Sequence, residues 1–111
     1  MGVTKSDLFT PEQNQLANLA KALAHPARIA ILQYLLECRT CINGDLVQEL
    51  GLAQATISQH LRELKNIGLI QGTIEGVSVC YCIDPGKWKE VKQLFDLLFE
   101  QFSEKGTPEC C

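Results

Sequence analysis

Leu46 to Leu69 reads LVQELGLAQATISQHLRELKNIGL, and the fold follows from how this stretch divides. Leu46, Val47 and Leu50 supply the apolar side of one short helix. Gly51 is the turn residue, because glycine takes a positive φ without a Cβ clash. Leu52 fills the corner. A second helix is expected from about Gln54 to Asn66, with Ile57, Leu61 and Leu64 spaced four and three apart on one face. Gln54, Ala55, Thr56, Ser58, Gln59 and Arg62 fall mostly off that face and are small or hydrogen-bonding. Gly68 ends the helix in the usual C-terminal position. Two short helices joined this way form a helix-turn-helix. A second helix with a packed back and a short polar front can enter a DNA major groove. The same pattern suits an ordinary αα-hairpin, so the flanks decide.

On the N-terminal side, Thr10-Pro11-Glu12-Gln13 is a helix start: Thr as N-cap, Pro at the first position, Gln13 placed to complete a capping box. Leu16, Leu19, Ala20 and Leu23 form its stripe. His25-Pro26 interrupts it, since proline disfavours a helical residue before it. Pro26 opens another helix, with Ile29, Leu32, Leu35 and Leu36 expected inward. Arg28 on it either touches phosphate or is solvated or locally paired. That helix ends near Cys38-Arg39-Thr40-Cys41, and Asn43-Gly44-Asp45 starts the next.

On the C-terminal side, Leu69 to Ile74 reads as a strand, Glu75-Gly76 as a turn and Val77 to Asp84 as a second strand. Alternation puts Val79, Tyr81 and Ile83 on one face and Ser78, Cys80 and Cys82 on the other. A hairpin directly after the recognition helix is a wing. Asp84-Pro85 caps a final helix, roughly Gly86 to Ser103, whose apolar residues cover more than one face. Such a helix either completes the monomer core or joins two copies. The second is expected, because DNA-reading helices usually work in two-fold pairs. The fold class is mostly α with a small β-hairpin: a winged helix-turn-helix, α-α-α-α-β-β-α, dimeric. Residues 1–9 are expected as a flexible N-terminus, 10–103 as the domain with terminal dimerisation helices, and 104–111 as a Cys-ending tail.

The chain has 111 residues, enough for one compact domain with a small core. It has no apolar run of membrane-spanning length, and its start has no secretory h-region. Six cysteines without a secretion signal point to a reducing compartment, so a cytoplasmic location is expected. The net charge is −3, which argues against binding nucleic acid through bulk charge. The acidity is uneven. Between Gln54 and Thr73, Arg62 and Lys65 outnumber Glu63, whereas from Glu90 to Cys111 five carboxylates face two lysines. Direct contacts and helix N-termini must then carry more of the binding.

The segments LAHPARIAILQYL, DLVQELGLAQATISQHLRELKNIGLI and GTIEGVSVCYCI resemble the second helix, the helix-turn-helix and the wing of the ArsR/SmtB family of bacterial metal- and stress-sensing repressors. The resemblance covers Leu23 to Ile83. It implies a homodimer joined by the first and last helices, here through Leu16, Leu19, Leu94, Phe95, Leu98 and Phe102. It implies binding to an imperfect inverted repeat in double-stranded DNA, and release when a ligand binds. The family's DNA-contacting positions map to Gln54, Ala55, Thr56, Ser58 and Gln59, with His60 and Arg62 nearby. By chemistry, Gln pairs with adenine and hydroxyls serve bases or phosphates. His60 is either a contact or a structural residue. Two features depart from the family. Ala53 stands where relatives place a Ser or Thr N-cap, a loss of ~1 kcal/mol. The wing tip Glu75-Gly76-Val77 has no Arg.

Family members often sense through a Cys-x-Cys before Asp-Leu. Here Cys41-Ile42-Asn43 has Asn at the second position. The resemblance therefore points to a set made by Cys41 with Cys110 and Cys111, or with Cys38 as well, if the tail folds back. Three thiolates suit arsenite, antimonite or another thiophilic ion, and no cofactor is obligatory. Sensing of thiol oxidation or persulfide is the alternative. Cys80 and Cys82 share one side of a strand and are either ligands or inert. No His follows His60, which removes the family's His-rich zinc site. An enzyme is not expected: Cys38-x-x-Cys41 lacks the βαβ context of a thiol oxidoreductase, and no phosphate loop or HExxH is present. A winged helix that binds protein rather than DNA is the remaining rival.

Overall fold

The computed structural model describes residues 5–38, 46–74 and 80–102. A single 3₁₀ turn, Lys5–Leu8, precedes the domain where no element was expected. Helix α1, Pro11–Leu23, begins as its sequence demands. The Thr10 hydroxyl accepts from the Gln13 backbone N–H at 3.1 Å, and the Gln13 side chain accepts from the Thr10 N–H at 2.9 Å. Two otherwise orphaned donors are satisfied reciprocally. Helix α2, Pro26–Cys38, starts two residues after α1 is capped at Ala24. His25 Nδ1 accepts the Ala27 N–H at 3.1 Å and serves the start of α2 much as Thr10 serves α1.

Helix α3, Leu46–Leu50, and helix α4, Gln54–Asn66, meet at Gly51, whose φ is +69°. The expected bounds of α4 are those observed. Gly68, at φ +85°, turns the chain into β1, Ile70–Thr73, which pairs antiparallel with β2, Cys80–Ile83. Ile70 opposes Ile83 and Gly72 opposes Tyr81. Tyr81 is buried and Ile83 packs against the core, as the alternation requires, while Cys80 and Cys82 lie on the other side. The expected turn at Glu75-Gly76 lies outside the described residues, as does the expected start of α3 at Asn43-Gly44-Asp45. Helix α5, Pro85–Phe99, is capped by the Asp84 carboxylate, which accepts from the Lys87 N–H at 3.1 Å.

One core joins these elements. Ile31, Leu46, Ile57, Leu64 and Leu69 are within 1% of complete burial. Three expectations are corrected. Ile29 and Leu36 point outward, while Ile31 takes the inward place. Helix α2 is apolar on two sides, so spacing alone does not choose between the 29/36 and 31/35 stripes. Leu19, expected at a dimer interface, is buried in its own chain's core. Helix α5 stops at Phe99 rather than Ser103. Gln101 and Phe102 donate to the carbonyls of Leu98 and Phe99, so the last turn tightens into i→i−3 bonds and Phe102 lies beyond the helix.

Candidate nucleic-acid interface

Helix α4 divides cleanly. Ile57, Leu61 and Leu64 are buried, and they hold the helix against the core. Gln54, Ala55, Thr56, Gln59 and Arg62 are exposed, and Ser58 is half-buried. The Gln54 amide donates to the Ser58 hydroxyl at 3.1 Å, one turn along the same face. The N-cap is Ala53, which makes no side-chain cap bond. The positive end of the helix dipole is therefore not answered by a capping side chain, which favours an anion there.

His60 does not belong with the exposed set. It is 7% exposed and faces the core side of α4. Its Nδ1 accepts from Arg28 Nε at 3.1 Å, and its ring lies 4.4 Å from that of His25, tilted by 55°. Burial, then the charges of His25 and Arg28, hold its pKa below the ordinary histidine value, against the opposing pull of Glu63. Arg28 is thus locally paired. Its Nη1 also donates to the Ala22 carbonyl at 2.9 Å.

The wing is tied to the recognition helix. Lys65 Nζ donates to the Gly72 carbonyl at 2.6 Å. A polar concavity of about 520 Å³ runs between α4 and β1, lined by Arg62, Lys65, Asn66 and Thr73. From the sequence, Lys65 enters only as a charge, and Asn66 and Thr73 are not expected in a site. The three-residue spacing of Arg62 and Lys65 on a helix was the available signal. Gly72, at φ +112°, is required where it stands: a Cβ would lie 2.2 Å from the Cys80 carbonyl oxygen.

Of the cysteines proposed as ligands, Cys38 is half-buried at the end of α2. Cys41, Cys110 and Cys111 lie outside the described residues. Cys80 and Cys82 are half-buried, and Cys82 Sγ accepts from the Gln71 amide at 3.8 Å. Among the described residues, no three His, Cys, Asp or Glu side chains gather as metal ligands.

The terminal helices leave apolar surface open. Leu16, Leu94 and Phe95 are half-buried, Leu98 is 46% exposed and Phe102 is 67% exposed. An apolar groove of about 430 Å³ lies between α2 and α5, lined by Ile29, Leu32, Leu36, Trp88, Val91 and Phe95. Among the described residues, no helix is long and apolar enough to cross a membrane.

An exposed polar helix backed by a small core and flanked by a two-stranded hairpin defines a winged helix-turn-helix DNA-binding domain. The family model for bacterial regulatory proteins of the ArsR family matches residues 25–71. The transcriptional regulator CmtR of Mycobacterium tuberculosis is 41% identical over 71 residues, a match spanning 64% of this chain and 59% of CmtR. The NMR structure of the cadmium sensor CMTR from that organism aligns at a TM-score of 0.52 and 34% identity, covering 86% of this chain and 96% of that one. The crystal structure of the repressor BigR from Xylella fastidiosa aligns at a TM-score of 0.61 and 27% identity, over 91% and 99% of the two chains. A homodimeric winged helix-turn-helix domain from Mycobacterium bovis, 22% identical and covering 99% of both chains, shares the fold at a TM-score of 0.59. The chain belongs to the ArsR family of bacterial regulatory proteins. Its relatives are transcriptional regulators, not enzymes.

Proposed function

We propose that this protein is a cytoplasmic transcriptional repressor that binds an imperfect inverted repeat as a homodimer and leaves it when cysteine thiolates take up a thiophilic metal or metalloid. The observation that supports operator binding best is the exposed front of α4, where Gln54, Ala55, Thr56, Gln59 and Arg62 stand clear of the core. In this reading Gln54 and Gln59 meet base edges, Thr56 and Ser58 meet bases or phosphates, and Arg62 meets the backbone.

Two copies pair through the terminal helices. Leu97, Leu98, Phe99 and Phe102 are large apolar side chains left exposed at and just beyond the end of α5, and a monomer rarely leaves a cluster of them in water. Phe95 stacks on Phe99 at 6.4 Å, and Leu16 and Leu94 are half-buried.

The inducer is held by Cys41 with Cys110 and Cys111, or by these with Cys38 as well. Thiolates prefer soft acceptors, and arsenite or antimonite takes three. The cadmium sensor among the relatives supports a soft-metal ligand. Coordination shifts the region before α3 and so misplaces α4. A coupling of ~1–3 kcal/mol suffices.

The test is fluorescence anisotropy on duplex DNA from upstream of the gene, with the reduced protein titrated with arsenite, cadmium, zinc and a persulfide donor. Arsenite or cadmium is expected to release the duplex, and Cys41→Ser to bind apo but not respond. A normal response in the Ser variant removes Cys41 as the sensor. Release by the persulfide donor alone replaces the metal reading with thiol chemistry.

A further inference from the structure

The polar cluster behind the recognition helix does something that its surface residues do not. Arg28 projects two donors from one rigid plane. Nη1 holds the Ala22 carbonyl, in the last turn of α1, where carbonyls have no intrahelical partner. Nε holds His60 Nδ1 on the inner side of α4. The guanidinium therefore fixes the distance between the end of α1 and the back of α4. His25 closes the other side of the imidazole at 4.4 Å and is itself anchored by the Ala27 N–H.

We propose that Arg28 and His60 are positioning residues of the recognition helix, a clamp that sets how the front of α4 is presented to DNA relative to α1 and α2. The proposal rests on the reading of α4 as the operator-contacting helix. Gln59 and His60 are consecutive, one exposed and one buried, so what holds the inner residue also bears on where the outer one is presented.

The clamp works in one protonation state. His60 Nδ1 accepts the Arg28 bond, so the neutral ring carries its proton on Nε2. A proton added at Nδ1 sets N–H against N–H and cation against cation. Among the described residues, the charged and titratable groups facing His60 are His25 and Arg28 from the α1–α2 side and Glu63 on its own helix. Glu63 favours the charged ring; burial, His25 and Arg28 oppose it more strongly. The clamp is thus intact above the ordinary histidine range and opens as pH falls through the lowered value.

Two variants of the full chain test this. His60→Leu fills the same space with an apolar side chain and removes the acceptor. His60→Asn places an amide oxygen where Nδ1 stood and does not titrate. Operator affinity is read by anisotropy from about pH 5.5 to about pH 8, with folding followed by thermal melting. His60→Leu is expected to melt cooperatively yet bind roughly tenfold more weakly per half-site at neutral pH, about a hundredfold for the two-fold dimer, on the scale of one charge-assisted hydrogen bond lost in each subunit. His60→Asn retains neutral-pH affinity and lacks the acid-side loss seen in the wild type. Equal affinity of wild type and His60→Leu, or parallel acid profiles of wild type and His60→Asn, overturns the proposal.

A readout without DNA separates this from the operator reading. Nitrogen-15 spectra of His60 should show the Nε2–H tautomer and a pKa that rises in Arg28→Gln. If the wild type binds no duplex but these spectra are as expected, the clamp stands and the operator reading fails. An Nδ1–H tautomer removes the clamp itself.

Discussion

Replacing Gln59 and Arg62 separately by alanine distinguishes the two kinds of contact assigned to α4. Both side chains are exposed, and Ile57, Leu61 and Leu64 hold the helix without them. Each substitution should therefore leave stability within about 0.5 kcal/mol of the wild type. Gln59 is assigned to a base edge, where a good bidentate pair is worth about 1–3 kcal/mol. A two-fold dimer loses it twice, so Gln59→Ala should cost about 2–6 kcal/mol, roughly 30-fold to 10⁴-fold in operator affinity. Because Gln carries no charge, the dependence on salt should not change. Arg62 is assigned to phosphate. Losing one phosphate contact per half-site should flatten the slope of log K against log salt by about 1.8, at about 0.9 per contact. It should weaken operator and unrelated duplex alike. The assay is anisotropy on both duplexes across a salt series. Gln59→Ala with full operator affinity, or Arg62→Ala with an unchanged slope, would refute the assignment.

Three further outcomes follow from the geometry. Gly72→Ala forces a Cβ to 2.2 Å from the Cys80 carbonyl oxygen at φ +112°, so it should destabilise by about 3 kcal/mol or more, seen as a lower melting temperature. Thr10→Ala removes half of the capping box and should cost about 1 kcal/mol in urea unfolding, with operator affinity per folded molecule unchanged. Since the fold favours neutral His60 and the unfolded residue titrates near 6.5, its contribution to stability is complete above that value. It is lost as pH falls through the lowered native value, so the wild type should lose more stability than His60→Asn on the acid side. Equal losses in thermal melts would contradict it.

Leu46 to Leu69 is legible because three independent signals coincide there: apolar spacing in α4, glycine at Gly51 and a stop at Gly68. The Thr10 and Asp84 caps were equally legible, since capping depends on local residues. Where local signals are silent or doubled, the sequence alone does not decide. Helix α2 carries two apolar stripes, and only the packing of α3, α4 and the wing against it shows which is inward. His60 looks like a polar residue on a polar helix. Its burial depends on Arg28, thirty-two positions away, and long-range pairing leaves no local trace. Helix α5 lacks a glycine at its end, so no residue type marked its stop at Phe99. The assigned front of α4 is exposed as its spacing implied, but which bases or phosphates those side chains meet is not written in the chain.

Trp88, the sole tryptophan of the chain, lines the groove between α2 and α5. Indole emission shifts to the blue and brightens when water is displaced from around the ring. A second copy seated over this groove would therefore announce itself without any attached dye. Serial dilution of the unmodified protein, watched at one wavelength, reports association directly, and the recognition helix plays no part in the optical signal.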